Sequence, residues 1–153
     1  LLNFSLDRLD KCKPLPSLEY VQFAGDINEQ FEDIIGVTLF DDSPLLKIVF
    51  WVSDKSKDYV VTKPIHESQR KLSNKDTIAL RDLYPMLSGG MFFRIDCKEN
   101  YELIRELSSF GENLIVVEPS IIQEKIIDRI DAMSKKYQSL RTLCSHHNGN
   151  FVS

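Results

Sequence analysis

An α+β fold is predicted by three observations on the sequence. Two runs rich in branched and aromatic residues, Leu45 to Val52 and Gly89 to Cys97, read as strands; a third apolar run, Leu114 to Val117, follows a short helical stretch; and from Ser120 an apolar stripe recurs at helical spacing. With a short helix after Asp54 and a weaker strand at "HESQRKL", the order from Leu45 is β-α-β-β-α-β, then a long helix. That is the ferredoxin-like split βαβ arrangement, an antiparallel sheet covered on one face by two helices, here with an extra long C-terminal helix.

Each element has a local cause. "SPLLKIVFWVS" opens after the turn signal "DDSP" and is the candidate central strand. Asp54 is placed to cap a helix through Val61, and Pro64 ends it by excluding the α conformation at Lys63. "HESQRKL" is polar for a strand, whereas "GGMFFRIDC" is strongly apolar. Between them, Ser73 to Ser88 is a long connection holding "DTIALRDLYPML", readable as an inserted helical turn or as an extended hairpin arm.

The stretch "ENYELIRELSSFGENLIVVEPSIIQEKI" is dense in start and stop signals. Asn100 is a candidate N-cap; Tyr101, Ile104, Leu107 and Ser108 fall on one helical face; Gly111 sits where a left-handed stop belongs. Leu114 to Val117, bounded by Asn113 and Pro119, has the continuous apolar character of a strand buried on both faces. Ser120 with Gln123 matches a capping box, and Ile122, Ile126, Ile130, Met133 and Tyr137 form a stripe on a helix to about Arg141. Upstream, "NEQFEDIIG" from Asn28 to Gly36 reads as a short helix. The first 25 residues, with Pro14, Pro16 and Gly25, read as an extended linker carrying one short strand, "NFSLDRL"; the last ten have no periodicity.

Composition narrows the function classes. The 153 residues are 42% hydrophobic and 27% charged, enough for one main core. A net charge of −4 speaks against binding nucleic acid through phosphate neutralisation, which needs a clustered basic footprint. Cys12, Cys97 and Cys144 are odd in number and widely spaced, which suits reduced thiols in a cytoplasmic protein. No apolar run approaches the ~20 residues of a membrane helix, and no signal peptide is expected at the start of the chain. The first residue is Leu1 and not methionine, which raises the expectation of a fragment.

"FSLDRL" at Phe4 to Leu9 resembles the closing strand motif of a WYL domain, usually Phe-Arg-Leu-Asp-Arg-Ile, and "FEDIIGV" resembles the segment that follows it in WYL-containing bacterial transcriptional regulators. "KPIHESQ" is similar to the family's His-Pro-Ser-Gln segment, with Glu67 in place of proline. "NYELIRELSSFGENLIVVEPSIIQEKI" resembles the helix, Ser-Phe-Gly, strand, Glu-Pro, helix signature of the WYL C-terminal extension, WCX. The likeness runs to about Tyr137 and departs at Ser73 to Ser88, which is longer than usual. It implies three regions: the last WYL strand and linker at 1–27, a WCX domain at 28–143, and a disordered tail at 144–153. It implies the effector-sensing and dimerising part of a regulator whose DNA contacts come only from a winged helix-turn-helix outside this chain. An unidentified small-molecule or nucleotide effector follows from the same likeness. A homodimer is expected both from it and from the final helix, where Ile121, Ile122, Ile126, Ile127, Ile130 and Met133 spread over more than one narrow stripe; the alternative is a monomer in which the N-terminal linker and the Asn28 to Ile35 segment cover that face.

Candidate site residues divide by the commoner alternative for each. Phe4 and Arg8 match WYL positions that contact ligand, and an arginine fork suits a phosphate or carboxylate; as isolated residues in a terminal strand they would be structural. His66 with Ser68 has no third orienting group in the sequence, so catalysis there is not expected. His146 and His147 near Cys144 lack a second ligand pair at zinc spacing, and no metal or cofactor is expected. Trp51 reads as core. The other readings are a stand-alone small-molecule-binding module and a small hydrolase, since one fold hosts many functions.

Overall fold

The computed structural model describes residues 9–22, 24–26, 29, 31–38 and 43–146, without the side chains of 144–146. Its elements are β1 (Leu45–Val52), α1 (Lys57–Thr62), β2 (Arg70–Lys71), α2 (Asn74–Leu83), β3 (Met91–Lys98), α3 (Tyr101–Ser109), a 3-10 turn (Gly111–Asn113), β4 (Leu114–Glu118) and α4 (Ser120–His146). The sheet order is β2-β3-β1-β4, with every neighbouring pair antiparallel. This is the ferredoxin-like order, interrupted by α2 between β2 and β3, and β1 lies inside the sheet as its composition predicts.

Alternation along β1 and β3 sends one set of side chains to each face. Ile48, Phe50, Val52, Phe93, Ile95 and Cys97 meet Val60 of α1, Leu103 and Leu107 of α3, and Ile122 of α4 in the main core. Phe50 and Phe93, paired across the strands, stack with ring centroids 5.8 Å apart. The opposite face is not left open. Phe92 and Val117 are buried there under Leu87, with Leu80 and Tyr84 packed alongside, so the long connection after Ser73 is a helix-bearing cover for part of the second face.

Four local expectations are corrected by where the hydrogen bonds go. The Asn28 to Gly36 segment is not a helix over its described residues: it runs as turns, the Asp33 carbonyl accepts from the Lys98 amide at 2.6 Å, and Gly36 sits at φ +77°. Asp54 does not cap α1; it binds Lys57 and accepts from the Gly90 amide at 3.1 Å, leaving Ser56 as the N-cap without a side-chain bond. Gln123 does not complete a capping box, because its amide donates to the Val116 and Val117 carbonyls at 3.0 and 2.9 Å. β4 is an edge strand; a register shift opposite Val49 and Phe50 lets both Val116 and Val117 be buried, while Ile115 stays exposed.

On α3 the buried positions are Leu103 and Leu107, with Tyr101 exposed, because Asn100 caps the helix and turns Leu103 inward. α4 reaches His146, past the boundary expected at 143.

Candidate functional site

The N-terminal arm is pinned where β3 ends and α3 begins. Asn100, buried at 2% exposure, accepts from the Leu103 amide at 2.8 Å and donates to the Ile35 and Thr38 carbonyls at 2.8 and 3.1 Å. Thr38 donates to Glu102 at 2.8 Å, and Lys98 pairs with Asp33 at 3.3 Å. Burial raises the Glu102 carboxyl, but hydrogen bonds from Thr38 and from backbone amides outweigh it and hold it below the ordinary range. Thus "FEDIIGV", "KEN" and the first turn of α3 form one polar knot around a buried Ile34.

That knot walls one side of an open groove of about 460 Å³, whose other side is Pro64, Ile65, His66 and Glu67 from the α1 to β2 connection. Glu32 and Glu67 stand at an otherwise largely apolar lining of Phe31, Ile34 and Ile35. His66 is brought to Ser68, Nδ1 to Oγ at 2.7 Å, as the sequence spacing allows. The serine hydroxyl, however, donates to the Asp96 carbonyl at 3.0 Å and accepts from the Asp96 amide at 2.9 Å. Its oxygen staples the α1 to β2 connection to β3, and among the described residues no carboxylate hydrogen-bonds His66 in the way a nucleophile's base requires.

Beside this staple, the side chains of Arg70 and Arg94, directly opposite each other across β2 and β3, both bind the Asp96 carboxylate. Partial burial raises the Asp96 carboxyl, and the Arg94 hydrogen bond with the charges of Arg94, Arg70 and Lys47 holds it down overall. This cluster offsets the repulsion of two facing arginines.

α4 carries a row of exposed apolar side chains. Among the described apolar side chains of this helix, Ile122 is buried and Ile126 partly so; Ile127, Ile130, Met133, Tyr137, Leu140 and Leu143 remain 52–63% exposed. The described linker residues do not cover them, since Leu15, Leu18, Tyr20 and Val21 are themselves exposed. Ile126, Ile130, Met133, Tyr137 and Leu140 are spaced four, three, four and three residues apart, the 3.5-residue period of a coiled-coil seam.

Phe4 and Arg8 lie outside the described residues. Trp51 is half-buried against the second cluster, not within it, and its indole donates to the Gly89 carbonyl at 3.2 Å. Among the described residues no three His, Cys, Asp or Glu side chains gather as metal ligands, and no helix is long and apolar enough to cross a membrane. The extension of the α4 stripe through Leu140 and the knot around Asn100 were missed in the sequence; the first was signalled by the unbroken four-three spacing. No family model matches the chain, and no curated protein matches it.

Proposed function

We propose that this chain is the effector-sensing and dimerising region of a cytoplasmic, bacterial DNA-binding transcriptional regulator of the WYL type, and not an enzyme. The observation that carries the reading is the exposed heptad stripe on α4, an apolar surface of the kind that monomers do not leave to water. A regulator that reads two operator half-sites needs such a self-complementary surface. The motifs that resemble the family support it further: "FEDIIGV" and the first turn of α3 interlock through Asn100 and Glu102, and "HESQ" is stapled to β3 by Ser68. DNA contacts are assigned to a winged helix-turn-helix outside this chain, because its charge of −4 supplies no phosphate-binding footprint. The effector is assigned to Phe4 and Arg8, in the segment that resembles the closing WYL motif.

A second reading, a small-molecule-binding module acting alone, is favoured by the groove between Phe31 and His66. Mobility-shift titration at low salt beside a measurement of mass separates the readings. The regulator reading expects a dimer with no sequence-specific DNA shift from this chain. A monomer, or sub-micromolar sequence-specific binding by this chain, contradicts it.

A further inference from the structure

We propose that α4 pairs in antiparallel with α4 of a second copy of this chain, Ile130 against Leu140 and Met133 against Tyr137 of the other copy; this rests on the dimer reading above. The six exposed apolar side chains from Ile127 to Leu143 present roughly 700 Å² per copy, close to the ~800 Å² each partner gives to a standard interface. A second helix of the same sequence matches this stripe in length and period.

The direction follows from charge. In the first half of α4, Lys125 is paired with Glu99 and Arg129 lies over the Tyr101 ring at 6.0 Å, so both basic side chains are turned to their own domain. Glu124, Asp128 and Asp131 form no ion pair among the described residues, and neither do Lys135, Lys136 and Arg141 in the second half. An antiparallel pair lays the acidic half of each helix along the basic half of the other.

The seam makes the same choice residue by residue. One flank carries Ile127, Ser134 and Arg141, with Glu124 and Asp131 a step further out; the other carries Arg129, Lys136 and Leu143. In antiparallel helices each flank meets its own kind, which sets Arg141 beside Ile127 of the second copy, between that copy's Glu124 and Asp131. In parallel helices the flanks meet each other, which sets Arg141 against Lys136 of the second copy, twice per dimer. The antiparallel pair has one such cost, Lys136 near its own copy at the axis.

Opposite responses to Arg141→Glu test the direction. Arg141 is on an exposed stretch of helix, so the variant folds as the native chain does. Sedimentation equilibrium at low ionic strength should show the dimer Kd rising about 3- to 10-fold, with recovery when Glu124→Lys and Asp131→Lys are added. A parallel dimer would instead tighten, because the Lys136 to Arg141 repulsion becomes attraction. As a second measurement, mild oxidation of the Cys12→Ser chain should yield no cross-linked dimer, since antiparallel helices hold the two Cys144 positions about 27 Å apart. A Kd unchanged or lowered by Arg141→Glu, or ready Cys144 to Cys144 disulfide formation, overturns the antiparallel direction and leaves the dimer standing. A chain that never associates overturns both.

Discussion

The side-chain amide of Asn100 donates to the Ile35 carbonyl at 2.8 Å, and through that bond the N-terminal arm and the start of α3 become one structure. The same side chain caps α3 through the Leu103 amide and also reaches the Thr38 carbonyl. Asn100→Ala therefore removes a cap and leaves buried backbone groups unpaired. Urea denaturation should show a loss of about 2–4 kcal/mol, and the arm should become the first site of proteolytic cleavage. A loss below about 0.5 kcal/mol would mean that water replaces the amide without cost.

Gly90 and Gly111 share nearly the same backbone conformation, φ +58° and +57°, but not the same surroundings. A Cβ at Gly90 would lie 2.2 Å from the Val52 carbonyl oxygen and 2.7 Å from the Trp51 indole nitrogen, whereas nothing lies within 4 Å at Gly111. Gly111→Ala should cost about 1 kcal/mol, the left-handed penalty alone, and Gly90→Ala more than about 3 kcal/mol because the β1 backbone must move as well. Equal melting temperatures for the two variants would refute this account of the β1 and β3 corner.

Burial in the main core pushes the Cys97 thiol up to about 11. Cys97 should therefore resist a thiol reagent at pH 8 while exposed Cys12 reacts, and should react only on unfolding. The folded value lies above the unfolded one, so this group's contribution to stability is complete below the unfolded value of 9.0 and is lost as pH rises through about 11. A Cys97→Ala chain should show a shallower fall in stability across that window. An identical alkaline profile would remove the thiol from the explanation.

The parts of the fold that could be read in the sequence are those whose signals are local. β1 and β3 are marked by branched and aromatic runs, α3 by Asn100 as its cap, and the order of elements by their punctuation. The parts that could not be read depend on distant partners. The segment before Gly36 has the apolar spacing of a helix, yet its backbone bonds are taken by Lys98 and Asn100, more than sixty positions away. Gln123 fits a capping box, but the carbonyls of Val116 and Val117 lie closer to hand. α2 had one usable signal, Ser73 accepting from the Asp76 amide at 3.2 Å, which its polar composition obscured. Of the site, the α4 stripe was visible in the periodicity from Ile122 to Tyr137, short only of Leu140. That part of it stays exposed was legible from its breadth, since Ile121, Ile127, Ile130 and Met133 together exceed one narrow stripe; which residues the sheet covers depends on where the sheet ends, which no local pattern records.

The central claim is that α4 associates with a second copy through its exposed face, and sedimentation velocity tests it most directly. Over a hundredfold range of concentration the native chain should shift from the 17.7 kDa monomer to twice that mass. Ile130→Glu, at a position 52% exposed in the single chain, should hold the mass at the monomer value while leaving the fold and its melting temperature within a degree or two. A native chain that stays at 17.7 kDa throughout, or an Ile130→Glu chain that dimerises as well as the native one, would contradict the account.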